Sequence, residues 1–205
     1  MTLNAIKNRL DYQGALLGLV VLATCAALAF AYQLTREPIR AALENDLLQN
    51  FSQVIDDSLY DNDLLTSKAE IERNGKPLTW YQARKEGEVT AVIFPITAVG
   101  YAGNIEMLLA IKANGEISGV RVLVHRETPG LGDKIEVSRD PWITGFSGKS
   151  LDNPQPENWG VKKDGGEFDQ FTGATITPRA IVQEIHRSLE FFAANRDTFL
   201  EVQDD

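Results

Sequence analysis

The sequence predicts an α+β protein in which one apolar N-terminal helix precedes a soluble domain with an antiparallel sheet and flanking helices. Three observations carry this prediction. An almost unbroken apolar run extends from Gly14 to Tyr32. Val, Ile and Thr are frequent between residues 89 and 125, which is typical of strands. A helical pattern of apolar residues then extends from Pro178 to about Phe199.

Length and composition limit the functions that the chain can have. A chain of 205 residues with 43% hydrophobic content can form one soluble domain and a small appendage. The formal net charge of -9 argues against nucleic-acid binding, because no positive field would attract phosphates. The single cysteine, Cys25, excludes an intramolecular disulfide and a cysteine-ligated iron–sulfur cluster. Any redox chemistry therefore needs another cofactor.

The apolar run has the length of a membrane-spanning helix, since its ~19 residues match the thickness of the hydrocarbon core. A cleaved signal peptide is the alternative, because Ala27-Leu28-Ala29 resembles a small-x-small cleavage site. We favour a retained anchor, since the run exceeds the ~7–15 apolar residues usual in signal peptides. We therefore expect a short cytoplasmic N-terminus at residues 1–13 and a transmembrane helix at residues 14–33.

The orientation of this helix is less strongly determined than its presence. Positive charges lie on both sides of the run, with Lys7 and Arg9 before it and Arg36 and Arg40 after it. Because the two counts are nearly equal, the sequence favours a cytoplasmic N-terminus only slightly.

Residues 34–67 are expected to form an amphipathic helix and an acidic linker. Apolar residues recur every four positions, which marks one face of a helix: Ile39, Leu43, Leu47, Phe51 and Ile55. The segment from Asp56 to Ser67 is acidic but lacks the glycine and the terminal glutamate of an EF-hand. We interpret it as a solvated linker, and we expect the domain itself to comprise residues 68–205.

The domain is expected to contain strands at residues 89–99, 105–112 and 117–125. Asn114-Gly115 between the last two strands is a strong hairpin signal. The segment Gly100–Gly103 separates the first two strands and offers glycines where the backbone could bend or approach a ligand.

Two segments contain candidate site residues. The first, His125–Gly132, includes a Thr-Pro-Gly-Leu-Gly turn whose backbone could lie close to a flat heterocycle. The second, Asp169–Thr177, precedes Pro178, so we expect Thr177 to cap the following helix. The N–H groups at that helix start favour an anion beside Thr175. Composition alone nevertheless favours a plain turn and helix start over an anion site.

The second segment also resembles a known motif. The residues Asp169, Thr172, Gly173, Ala174 and Thr175 have the spacing of the flavinylation motif Asp-x-x-Thr-Gly-Ala-Thr in the FMN-binding domain family. Together with the upstream segment and the apolar run, the chain resembles the G-subunit family of Rnf-type electron transport complexes over nearly its whole length. The related C-subunit family of the sodium-pumping NADH:quinone reductase is the alternative.

This resemblance implies a flavoprotein electron carrier, a subunit of a redox-driven ion translocase that has no independent turnover and no catalytic residue of its own. It implies that Thr175 carries FMN through a phosphoester bond. The other matched motif residues would belong to the same site, and by similarity to the corresponding turn of the family we expect four more residues beside the flavin: Glu127, Thr128, Gly130 and Leu131.

The resemblance also implies partners and a location. The partners would be the other subunits of the membrane complex, membrane lipid and a flavin transferase that attaches FMN during maturation. The chain would be a single-pass protein of a bacterial inner membrane with its C-terminal domain in the periplasm. A non-redox, membrane-tethered binding or assembly module, in which the Thr-Gly-Ala-Thr turn is purely structural, is the alternative from another functional class.

Other residues that could suggest chemistry have simpler interpretations. No metal site is predicted, because His125 and His186 are the only histidines and we expect His125 to face solvent at a strand end. We interpret Trp142, Phe146 and Trp159 as anchors of irregular backbone rather than as a shield for the flavin.

Overall fold

The computed structural model describes residues 10–202, and the chain divides into two compact units between Asp46 and Leu47. Helix α1 (Leu10–Phe51) has 42 residues, of which residues 10–46 make up the described part of the first unit and residues 47–51 belong to the second. Its large apolar side chains between Leu16 and Leu43 are exposed. Within the range 10–202, α1 is the one helix that is long and apolar enough to cross a membrane.

Helix α1 continues through the position where we expected a separate amphipathic helix to begin. Only Pro38 could interrupt it, and the helix accommodates that proline. No glycine or other turn signal lies between Tyr32 and Phe51, so nothing else in the local sequence ends the helix. The orientation argument depends on Lys7 and Arg9, which lie outside the described residues, as does most of the expected cytoplasmic N-terminus.

The second unit contains a five-stranded antiparallel sheet whose strands are adjacent in chain order. The strands are β1 (Lys68–Arg73), β2 (Lys76–Lys85), β3 (Glu88–Val99), β4 (Asn104–Lys112) and β5 (Ile117–Val124). The antiparallel sheet is therefore confirmed, and the three predicted strands agree with β3, β4 and β5 to within one residue at each end.

The first two strands were missed, although a signal for their hairpin is present. Asn74-Gly75 joins β1 to β2, and both residues have positive φ angles, 55° and 74°. A two-residue loop with two positive φ angles is the turn that Asn-Gly favours between antiparallel strands.

Two helices end the described chain, α2 (Ile176–Ala194) and α3 (Arg196–Leu200). We expected one helix to about Phe199, but it is interrupted at Asn195. Between β5 and α2 the backbone forms loops with short 3-10 turns at Asp133–Ile135, Pro141–Phe146, Pro156–Asn158 and Lys162–Asp164. One face of the sheet packs against α2, and its buried core includes Phe94, Ile96, Ile181, Ile185 and Leu189.

The segment that we expected to be a solvated linker instead packs against the sheet. Leu64 of this segment is buried with Ile93 and Ala110 in a second hydrophobic cluster, together with Val54 and Ile55, which directly precede the segment. Its acidic residues make hydrogen bonds to nearby residues: Asp56, for example, accepts a hydrogen bond of 2.8 Å from the Ser58 N–H. The prediction followed the polar majority of the segment, whereas burial of a few apolar residues determines its position.

Candidate functional site

A cavity of about 360 Å³ lies beside the start of α2, where the two candidate segments meet. The first segment contributes Glu127, Thr128, Leu131 and Gly132, and the second contributes Gly173, Ala174 and Thr175 together with the first helical residue, Ile176. Tyr101, from the turn between β3 and β4, completes the lining. The structure thus brings together six of the nine residues that the sequence analysis selected.

The first segment forms the turn that its sequence predicts. The Leu131 N–H donates to the Thr128 carbonyl oxygen over 3.1 Å. Gly130 has a φ of 79°, in the position after Pro129 where a type II turn requires a positive φ. Gly130 does not itself line the cavity, so its contribution is to the shape of the turn.

A second tight turn leads into α2. The Ala174 N–H donates to the Phe171 carbonyl oxygen over 3.1 Å, and Gly173 has a φ of 84°. A Cβ atom on Gly173 would lie 3.5 Å from Leu131 Cδ2, so the two turns are in close contact at this point. Glycine is therefore required here by the backbone conformation, because a side chain at this φ is strained.

Glu127 connects the parts of the site. Its side chain is buried, with 5% exposed. Oε1 accepts a hydrogen bond of 3.1 Å from the Ala102 N–H, and Oε2 accepts one of 2.7 Å from the Thr177 hydroxyl. A Cβ atom on Gly132 would lie only 2.6 Å from Oε2, so the loop can fold over this carboxylate only with glycine there.

The prediction that Thr177 caps the helix is wrong. Helix α2 begins at Ile176, and Thr177 is fully buried inside the first turn with its hydroxyl donating to Glu127. Thr175 occupies the cap position instead. Its side chain makes no capping hydrogen bond and is half-buried.

His125 does not face solvent, contrary to our expectation. Its side chain is 13% exposed, and Nδ1 accepts a hydrogen bond of 3.1 Å from the Glu127 N–H. Nε2 therefore carries the proton and donates to Glu136 Oε1 over 2.7 Å. This hydrogen bond lowers the pKa of the Glu136 carboxyl below its ordinary value of 4.5. His125 thus fixes the backbone from which Glu127 projects.

Two motif residues lie outside the cavity. Asp169 is exposed, accepts a hydrogen bond of 2.6 Å from Lys162 Nζ, and uses its carbonyl oxygen as the acceptor for Trp142 Nε1–H. Thr172 is also exposed and lies with Asp169 and Trp142 along a neighbouring shallow groove. Trp142 packs edge-on against Phe146 and Phe171, in agreement with its interpretation as an anchor of irregular backbone.

Three residues that line the cavity were not selected from the sequence: Tyr101, Gly132 and Ile176. The signal for Tyr101 was present, because an aromatic residue between glycines at a strand end is unusual for a turn that only connects strands. Ile176 gave no such signal, since its place in the apolar pattern of the helix is ordinary.

The helix start offers N–H groups to an anion. Pro178 has no N–H, and the Arg179 N–H is bonded to the Thr175 carbonyl oxygen, which leaves the amides of Ile176 and Thr177 at the positive end of the helix. The Arg179 guanidinium is held by Asp164 through hydrogen bonds of 2.6 and 3.0 Å. Any phosphate beside Thr175 would therefore be stabilised by the backbone rather than by Arg179.

The residues present fit a flavin mononucleotide. The cavity volume is near the lower end of the ~300–1,000 Å³ typical of ligand sites, which suits a flat heterocycle. Glycine backbone and the side chains of Tyr101, Leu131 and Ile176 give apolar walls, while Glu127, Thr128 and Thr175 supply polar groups.

Comparisons with known proteins identify the relatives of this chain. A family model described as the FMN-binding domain matches residues 100–190. The chain is 48% identical to the G subunit of the ion-translocating oxidoreductase complex of Cereibacter sphaeroides over 188 residues, which cover 91% of this chain and 86% of that protein. It is also 48% identical to the same subunit of Stutzerimonas stutzeri, with coverages of 91% and 82%.

A solved structure shows the same fold. The crystal structure of the C subunit of the Na(+)-translocating NADH-quinone reductase from Parabacteroides distasonis matches 82% of this chain and 98% of its own, with a TM-score of 0.53 and 18% sequence identity.

Proposed function

Because this chain belongs to the G-subunit family of ion-translocating oxidoreductase complexes, we propose that it is the family's electron carrier with FMN attached covalently to Thr175. One observation carries the proposal: two motifs that are far apart in the sequence converge on one cavity, and Thr175 lines it. The alternative identity, the C subunit of the quinone reductase, is less well supported, because the similarity to that protein is at the level of fold.

The structure supports Thr175 over its two neighbouring threonines as the attachment residue. The Thr177 hydroxyl is fully buried and is used by Glu127, so it is not accessible for esterification. Thr172 is exposed but lies outside the cavity. Thr175 combines partial exposure, a hydroxyl without a capping hydrogen bond, and a position beside the free amides of the helix start.

The chain's own residues would position the flavin and tune it. FMN supplies the capacity to accept and donate one or two electrons. The Thr128–Leu131 turn and Gly132 would hold the heterocycle against backbone, and Leu131 would contact it. The buried Glu127 carboxylate places a negative charge at the cavity, which disfavours the arrival of electrons and so lowers the reduction potential.

A covalent bond has a clear consequence for a carrier outside the cytoplasm, because the cofactor cannot dissociate into that space. We propose that the domain lies on the periplasmic side of a bacterial inner membrane and that α1 anchors it in the lipid. The chain contains no P-loop or other nucleotide-activating motif, so a separate flavin transferase would form the phosphoester bond.

Co-expression of the full chain with a flavin transferase tests this proposal. After denaturing electrophoresis, we expect a fluorescent band at the position of the 22.7 kDa chain. The band should be absent when the transferase is omitted, because attachment requires that enzyme. A colourless, non-fluorescent chain from cells with an active transferase would instead support the binding or assembly module.

A further inference from the structure

We propose that Tyr101 is the aromatic wall of the FMN site and covers the ring at the mouth of the cavity, an inference that rests on the proposed function. Tyr101 lines the cavity, yet 71% of its surface is exposed. It lies outside both sequence motifs, on the turn between β3 and β4.

The turn that carries Tyr101 is fixed to the site. The Gly100 N–H donates to the Gly103 carbonyl oxygen over 2.8 Å and closes the turn. At its tip, the Ala102 N–H donates to Glu127 Oε1 over 3.1 Å. A Cβ atom on Gly100 would collide with the same carboxylate oxygen, so glycine allows the turn to lie directly against Glu127. Tyr101 is therefore held at the cavity by its backbone.

The ring of Tyr101 is in no aromatic pair in the part of the chain that the structure describes. Most other aromatic residues of the domain pack in pairs, such as Trp142 with Phe171 and Trp159 with Phe168, whereas no ring contact includes Tyr101. Tyr60 is also in no ring contact, but its hydroxyl donates to Asp57 Oδ1 over 3.1 Å. A large aromatic side chain that is exposed and has no aromatic partner loses most of the stabilisation that burial of its surface could provide. A flat aromatic ligand in the adjacent cavity would supply the missing partner.

The remaining cavity walls indicate a ring between apolar surfaces. Leu131 and Ile176 also line the cavity and are 44% and 48% exposed, so they too would gain burial from a ligand. Among the described residues, Tyr101 adds the one aromatic surface of this cavity, since Trp142, Phe146 and Trp159 do not line it. If an aromatic side chain shields the flavin, it is consequently Tyr101 and not the aromatic cluster of the 141–168 loops.

Flavin fluorescence tests the proposal directly. A tyrosine in contact with the isoalloxazine ring quenches its emission, because the phenol gives an electron to the excited ring and then takes it back. Phenylalanine has a similar shape but cannot donate that electron. In the flavinylated full chain we therefore expect weak emission from the wild type, a several-fold increase in Tyr101→Phe, and quenching that persists in Tyr101→Trp.

A second measurement tests whether the Tyr101 ring also shields the flavin from solvent. Removal of the ring in Tyr101→Ala should make the flavin more accessible to iodide, whereas Tyr101→Phe should leave that accessibility unchanged. Tyr60→Phe is the matched control, because Tyr60 does not line the cavity, and its emission should equal that of the wild type.

The outcomes distinguish this inference from the proposed function. A wild-type chain without covalent flavin would overturn both. A flavinylated chain whose emission is the same in Tyr101→Phe and in the wild type would overturn only the role of Tyr101. Unchanged iodide accessibility in flavinylated Tyr101→Ala would have the same consequence.

Discussion

Glu127 shows how one residue joins distant parts of the chain. Its two carboxylate oxygens bind the turn after β3 and the first turn of α2, while its own N–H is bonded to His125. A buried carboxylate is tolerated only when such donors replace water. The arrangement of the site therefore depends on these three hydrogen bonds of Glu127.

Replacement of Thr177 by valine should destabilise the protein. Valine has a similar shape but leaves Glu127 Oε2 without its hydroxyl donor, and the loss of a hydrogen bond to a buried charge costs roughly 1.5–3 kcal/mol. Urea unfolding of the detergent-solubilised chain would measure this. The control is Thr172→Val, which is exposed and should change the free energy of unfolding by less than about 0.5 kcal/mol. Equal effects of the two substitutions would contradict the role of Thr177.

The hydrogen bond from His125 to Glu136 should make stability depend on pH. The folded-state pKa of Glu136 is lowered, chiefly because His125 Nε2–H donates to it, so ionised Glu136 stabilises the fold above its ordinary pKa of 4.5. This contribution is lost as the pH falls through the folded pKa. We expect the melting temperature of Glu136→Gln to lie below that of the wild type at neutral pH and to converge with it in acid. The difference corresponds to at most about 1 kcal/mol, because the pair is partly exposed.

The comparison for this prediction is Glu190→Gln, a substitution on the exposed side of α2, which should give no such pH-dependent difference. A gap between the wild type and Glu136→Gln that stays constant from neutral to acidic pH would refute the contribution of this hydrogen bond.

Sequence reasoning at the scale of residues succeeded where the cause is local. Pro129 and Gly130 specify their turn through their own backbone preferences, so the turn was predictable. The role of Thr177 was not predictable, because its partner Glu127 is 50 residues away in the chain and becomes its neighbour only in the fold.

The distinction between local causes and distant partners also holds for whole strands and segments. Strands β3 to β5 follow from segments rich in Val, Ile and Thr and from the Asn114-Gly115 hairpin signal, which are local features. The segment after α1 has a polar composition, and its burial depends on a sheet face that the local sequence does not reveal. A close contact of Val54 with β5 now shows how tightly this segment is held.

Replacement of Gly119 by alanine tests this packing. A Cβ atom on Gly119 would lie 2.7 Å from the Val54 carbonyl oxygen and 2.8 Å from its Cα, and backbone atoms cannot move away as a flexible side chain could. We expect a loss of roughly 1–3 kcal/mol in the free energy of unfolding, measured with urea. Gly145→Ala is the control, because nothing lies within 4 Å of a Cβ atom there. A neutral Gly119→Ala would show that the segment does not press against β5.

At the scale of the whole molecule, α1 explains how a soluble-looking domain can belong to a membrane complex. Leu17, Leu22 and Leu28 are each about two-thirds exposed along a helix long enough to span a bilayer. Lipid would cover such side chains and would also tolerate the helix, whose backbone hydrogen bonds are satisfied internally. The proposed direction of insertion puts the domain on the periplasmic side of the membrane.

Reporter fusions test that position. A reporter that is active only outside the cytoplasm should be active when it is fused after Asp205 and inactive when it is fused before Met1. A cytoplasmic reporter at the same two sites serves as the reciprocal control and should give the opposite pattern. Activity of the cytoplasmic reporter after Asp205 would contradict the proposed topology.

Peptide mass spectrometry of the flavinylated chain determines which residue carries FMN. We predict a single FMN adduct, localised by fragmentation to Thr175. The adduct should be lost in Thr175→Ala, retained in part in Thr175→Ser because the hydroxyl survives, and unaffected in Thr172→Ala. An adduct on Thr172 or Thr177, or one that persists in Thr175→Ala, would contradict the assignment of Thr175.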